Sequence, residues 1–205
     1  ISSMEKIAVV VVGYNRPDSM RRILNSLAKA VYQEKDIPLV ISIDHSGIEE
    51  VAQVAREFQW NYGSKEVICH KERLGLRKHI ISCGDLTEKY GAVMILEDDL
   101  YVSPDYYNYA MSTLKKYGEH PKIAGIGLNT KRDLLESPYP FFPRHTGYDV
   151  YFQQFATSWG QVWNKRMWNT FKEWYEAHPV LPPNVHMPVS VLHYPESSWA
   201  KFYQS

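Results

Sequence analysis

Residues whose types could do chemistry collect at the ends of apolar runs. Ala92-Val93-Met94-Ile95-Leu96 leads straight into Glu97-Asp98-Asp99. Three successive acids behind a buried strand are costly, because like charges repel and each carboxylate loses water near a low-dielectric edge. A divalent cation resolves that cost, since hard cations prefer carboxylate oxygens; sugar or ribose hydroxyls are the other ligands the run suits. A cation held by one or two carboxylates completes its shell with water and phosphate oxygens and acts as a Lewis acid on a diphosphate leaving group. Two more groups share this setting. Pro38 to Asp44 ends in an acid that either accepts hydrogen bonds from a base or ribose or caps the turn at Ser46-Gly47. Ile7 to Val12 opens into Gly13-Tyr14-Asn15-Arg16, where Arg16 either contacts a nucleotide by a charge-assisted hydrogen bond or pairs with Asp18.

The elements that must position these groups follow from periodicity. Ile7 to Val12 is continuous and β-branched, the pattern of a strand buried on both faces. Pro38–Asp44, Val67–Cys69, Ala92–Leu96 and Ile123–Ile126 read as further strands. Met20, Ile23, Leu24, Leu27 and Val31 mark one face of a first helix. Ile48, Val51, Ala55 and Phe58 mark a second, and Leu76 to Tyr90 a third. Ser103-Pro104-Asp105 opens a fourth, with Ser103 as its N-cap and Gly118 as its stop. Alternating strands and helices through about residue 128 predict an α/β fold, a mostly parallel sheet flanked by helices. Ligands of such sheets sit beyond the carboxyl ends of the strands, where Arg16, Asp44 and Glu97 to Asp99 would all lie.

After residue 130 the pattern changes. Pro138 to Trp174 is aromatic-rich, and Asn164 to Ala177 reads as a helix. Trp163, Met167, Trp168, Phe171 and Trp174 on helical spacing read as core, whereas Trp159 and its neighbours suit either core or a wall against sugar CH groups. Five prolines between His178 and Pro195 predict an extended segment. The division expected is therefore 1–128, the alternating α/β half, and 129–205, an aromatic-rich half of the same domain.

Composition excludes several classes. Among 205 residues, 23 basic and 23 acidic side chains cancel, which disfavours a protein built to grip nucleic acid. A hydrophobic fraction of 44% excludes disorder. Cys69 and Cys83 are too few for a disulfide framework or a four-cysteine zinc site and read as thiols in a reducing compartment. Eight histidines show no HExxH spacing. The longest apolar run falls far short of the roughly 20 residues that span a bilayer, and no signal-peptide pattern opens the chain. Ile1-Ser2-Ser3 ahead of Met4 read as an added remnant, and the amphipathic run from Ser197 to Tyr203 breaks off at Ser205 as if truncated.

Val9 to Pro17 (VVVVGYNRP) resembles the opening strand and turn of GT-A fold glycosyltransferases. Ile41 to Gly47 with Glu49 to Ala52 is similar to a segment of the N-acetylglucosaminyltransferase I family. Ile95 to Tyr106 resembles that family's Glu-Asp-Asp variant of the DxD motif and the Pro-Asp-aromatic helix start after it. Family-2-like bacterial glycosyltransferases share the likeness, which covers residues 7–128 and, weakly, Ser158-Trp159-Gly160. The resemblance implies a GT-A (Rossmann-like) fold and transfer from a nucleotide-sugar, UDP-linked, with Mn²⁺ or Mg²⁺, residues 1–128 being the nucleotide-sugar-binding half and 129–205 the acceptor-side half. It implies that Gly13, Tyr14, Arg16, Asp44 and Asp98 hold the nucleotide, that Glu97 holds the donor sugar and that Asp99 binds the metal directly. The family's histidine contact to uridine has its nearest counterpart in Lys78 or His79, and Trp159 falls in the tryptophan region. Relatives invert the anomeric centre in one displacement, a carboxylate taking the acceptor proton. Their base lies in an acidic pair just before a tryptophan; here Pro195-Glu196-Ser197-Ser198-Trp199 offers Glu196, with Ser198 where the second acid is expected. The implied acceptor is a glycan or lipid-linked saccharide, in a cytoplasmic enzyme peripheral to the inner membrane. Two rivals stand. A phosphoryl-transfer domain needs an Asp at the end of the first strand, which reads Gly-Tyr-Asn-Arg instead. A non-catalytic metal- or sugar-binding module, or an inactive relative, is left open by Ser198.

Overall fold

The computed structural model describes residues 6–129, 140, 142–144, 146–153 and 156–179. Two compact units are delimited, Ile1–Asn129 with Thr157–Phe171, and Thr130–Ala156 with Lys172–Ser205. The first holds the sheet. Its elements run β1 (Ile7–Gly13), α1 (Pro17–Ala28), β2 (Leu39–Ile43), α2 (Glu49–Glu57), β3 (Lys65–Cys69), α3 (Leu76–Gly84), α4 (Thr87–Tyr90), β4 (Ala92–Glu97), α5 (Tyr106–Tyr117), β5 (Ile126–Gly127), β6 (Gln161–Asn164) and the start of α6 (Lys165–Ala177). Strand order is β3-β2-β1-β4-β6-β5. β1, β2, β3 and β4 are parallel, and β6 runs antiparallel to β4 and to β5. Within the second unit, the Trp174 and His178 rings stack at 4.7 Å.

Successive side chains of a strand point to opposite faces, and the core divides accordingly. Ile7, Val9, Val11, Leu39, Ile41, Met94 and Leu96 pack with α1, α2 and α5 on one face. Ala8, Val10, Val12, Val40, Val93 and Ile95 pack with Cys83, Ile80, Leu86 and Tyr90 on the other. Every residue of β1 is buried, as its unbroken apolar run requires.

Several expectations need correction. The fifth strand, Ile126–Gly127, keeps only Ile126 of Ile123–Ile126, and Ile48 is the exposed N-cap of α2 rather than part of its packed face. Val31 lies beyond the end of α1 and is exposed, its amide donating to the Pro104 carbonyl. The helix expected over Leu76–Tyr90 is broken at Asp85-Leu86, because Gly84 lies against the Trp168 ring and the Trp168 indole N–H holds Asp85. α5 starts at Tyr106 with Asp105 at its N-cap, the Asp105 carboxylate accepting from the Asn108 amide at 2.7 Å rather than from backbone. Trp163 belongs to β6, a strand hidden in the aromatic stretch, and Trp174 is exposed; Met167 and Trp168 are core.

Candidate functional site

Three strand ends converge on one rim. The Asp44 amide donates to the Gly13 carbonyl at 3.0 Å, the Asp98 amide to Val12 at 3.0 Å and the His70 amide to Ile43 at 2.9 Å. Each chain thus leaves the sheet hooked to its neighbour, and strand spacing of about 4.8 Å fixes the distance between rim residues. Asp44 and Asp98 flank the β1 end, roughly two strand spacings apart.

Arg16 stands at the N-cap of α1, directly after β1. Its Nη2 donates to Asp98 Oδ1 and its Nη1 to Asp99 Oδ2 at 3.3 Å. The alternative pairing with Asp18 does not form: Asp18 is taken by Arg21 at 2.7 Å. Asp98 is only 2% exposed, and its Oδ2 is buried without a hydrogen-bond partner. Burial raises the Asp98 carboxyl pKa even though the Arg16 hydrogen bond and charge oppose it. Burial likewise lifts Glu97 to about 7, helped by the charges of Asp99 and Asp98. Burial works against the Arg16 guanidinium, yet Asp98 and then Asp99 raise its pKa further. Among the described residues no group of three or more His, Cys, Asp or Glu converges as a metal cage. The acids fit a cation that takes one or two protein ligands: Asp98 keeps a buried oxygen without a hydrogen-bond partner, and Arg16 bridges its carboxylate to the half-exposed one of Asp99.

Asp44 is buried, and its carboxylate is fully committed to backbone. Oδ1 accepts the amides of His45 (2.9 Å) and Leu74 (2.8 Å), and Oδ2 that of Gly75 (3.0 Å). Burial would raise its pKa, but these three donors outweigh it and hold the carboxyl below the usual range. Gly75 has φ +79°, a left-handed conformation that lets the chain turn from this contact into α3. The carboxylate therefore braces the loop that leads into α3, not the turn at Ser46-Gly47. The same loop carries Arg73, whose guanidinium lies 5.4 Å from the Tyr14 ring centroid, a cation–π contact at the rim. Sequence reasoning missed Arg73; its only signal is its place in the basic segment His70 to Lys78.

His79 is buried behind the rim rather than on it. Its Nε2 bonds Ser42 Oγ at 2.8 Å, and His70 Nε2 reaches the same hydroxyl at 3.2 Å. Burial lowers the His79 pKa to about 4, with His70 adding to the effect and Asp44 opposing it, so the ring is neutral. Trp159 is 60% exposed. Because Ile95 pairs with Gln161 in the antiparallel β4–β6 ladder, Trp159 lies two residues past that pair, on the side of β4 that ends in Glu97. Glu196 lies outside the described residues.

Residues 8–178 match a family model described as Glycosyl transferase family 2. Among solved structures, S. aureus TarS 1-349 in complex with UDP is 19% identical, over 55% of this chain and 33% of that chain, at a TM-score of 0.46. The mannosyltransferase PcManGT from Pyrobaculum calidifontis, in complex with GDP-Man and Mn²⁺, is 16% identical, over 60% and 35%, at a TM-score of 0.49. This chain spans about a third of the length of those structures. No curated protein matches it.

Proposed function

The chain belongs to glycosyl transferase family 2, and from that premise we propose that it moves a sugar from a nucleotide-linked donor, with UDP as the nucleotide, to a glycan or lipid-linked acceptor. The observation that carries this reading is the meeting of Arg16, Asp98 and Asp99 at the carboxyl ends of parallel strands, with Asp44 and Tyr14 alongside. Tyr14 and Arg73 offer a ring face and a cation to the nucleotide, with Gly13 between the acids. Arg16 supplies charge for the diphosphate, and Glu97, half-buried beside the two aspartates, suits a sugar hydroxyl. His79 acts from behind, as an uncharged support. Trp159 presents an aromatic face to a pyranose ring.

Asp99, with Asp98, would hold Mn²⁺ or Mg²⁺, and such an ion supplies Lewis-acid stabilisation of the departing diphosphate. Glu196 is the candidate base for an inverting displacement. The sequence resemblance supports a hexose or N-acetylhexosamine as the group moved. A lipid-linked acceptor would place the protein at the cytoplasmic face of a membrane; among the described residues no helix is long and apolar enough to cross one.

UDP release from a panel of UDP-sugars, measured with and without Mn²⁺ and with candidate acceptors, tests the proposal. Acceptor-stimulated release supports it. Tight UDP binding with no release from any donor would make the chain a binding module instead.

A further inference from the structure

Arg16 stands where a metal ion's charge would be needed. Its two terminal nitrogens are spent on Asp98 Oδ1 and Asp99 Oδ2, one oxygen from each carboxylate. Asp98 Oδ2 is left buried and unpartnered. A divalent cation on these two carboxylates would lie within a few ångströms of that guanidinium, and like charges so close repel. Arg16 is also able to leave. Its side chain is 50% exposed, while that of Asp98 is 3% exposed and fixed by the strand end. A diphosphate offers the planar fork a bidentate anionic partner equal to a carboxylate pair.

We infer that Arg16 is a resident counter-cation of the acidic rim, offsetting the charge of the two carboxylates a divalent metal would take and leaving them when a nucleotide diphosphate draws the guanidinium away. The inference rests on the nucleotide-sugar reading above. Metal and nucleotide then bind as coupled ligands, each tightening the other. Without nucleotide, the ion meets a site already neutralised by arginine; with nucleotide, the same arginine adds to the affinity for phosphate.

The test measures Mn²⁺ binding by the loss of the free-ion electron paramagnetic resonance signal, and UDP binding by calorimetry, on the whole chain. Arg16→Gln is expected to bind Mn²⁺ alone about tenfold more tightly than the wild type, the factor given by one charge-assisted hydrogen bond of modest strength. The same variant should bind UDP several-fold more weakly at saturating Mn²⁺. Arg16→Lys keeps a charge but not the fork, so its Mn²⁺ affinity should fall between the two, and it decides the matter if the glutamine variant loses its far-ultraviolet circular dichroism. A structural role alone would not move the two affinities in opposite directions. Unchanged or weaker Mn²⁺ binding in a folded variant, with wild-type protein binding UDP and Mn²⁺ normally, overturns this inference and leaves the proposed function standing. Wild-type protein that binds neither ligand removes both.

Discussion

Asp98 and Asp99 are neighbours in sequence with different physical lives. Asp98 is buried and tied to Arg16, whereas Asp99 is half-exposed, so the two should respond differently to substitution. Asp99→Ala removes one exposed partner of Arg16 and should cost the fold no more than about 1 kcal/mol. It should abolish Mn²⁺-dependent UDP binding, and calorimetry showing the wild-type Mn²⁺ dependence would count against Asp99 as the ligand. His79 makes the second prediction at this scale. The folded ring resists protonation down to about pH 4 because it is buried, while the unfolded ring protonates from about pH 6.5. Stability from this group is complete above that value and is lost as pH falls toward 4. The loss at pH 5 should be about 2 kcal/mol relative to pH 7. Glu97, raised to about 7, changes stability in the opposite sense over this range, so the contribution is read as the difference in pH dependence of the urea midpoint between the wild type and His79→Gln.

At the scale of elements, what holds the rim is mostly backbone caught by side chains. Asp44 was legible as a rim residue from its place after an apolar strand. That its carboxylate would clamp Leu74 and Gly75, and so position Arg73, was not, because the loop lies 30 residues away in sequence. The Leu76–Tyr90 helix shows the same limit. Its periodicity is sound, but Trp168 from α6 presses on Gly84 and breaks it. A Cβ at Gly84 would land on that indole, whose N–H is itself bonded to Asp85 at 2.8 Å. Gly84→Ala should therefore destabilise the protein by roughly 1–3 kcal/mol, despite alanine's better helix propensity. A thermal unfolding midpoint at or above the wild type would show that α3 and α6 can separate without cost.

At the scale of the whole molecule, the sheet unit is proposed to bind the donor and the later chain to supply the base. Glu196→Gln should lower turnover by a factor of about 10² or more while sparing UDP-sugar affinity; wild-type turnover would exclude Glu196 as the base. The parallel strands β1, β2 and β4 and the acids at their ends were readable from sequence alone, since a strand buried on both faces must be continuously apolar and the first charges after it must stand at the rim. The antiparallel strand β6 was not readable, because its four residues, Gln161-Val162-Trp163-Asn164, make too short a run to betray a period and lie inside an aromatic stretch. Only tertiary structure could decide that β6 docks on β4 and carries Trp159 toward the acids. The pairing of Arg16 with Asp98 rather than Asp18 was decided there too, because a partner more than 80 residues away is chosen by strand register and not by local pattern.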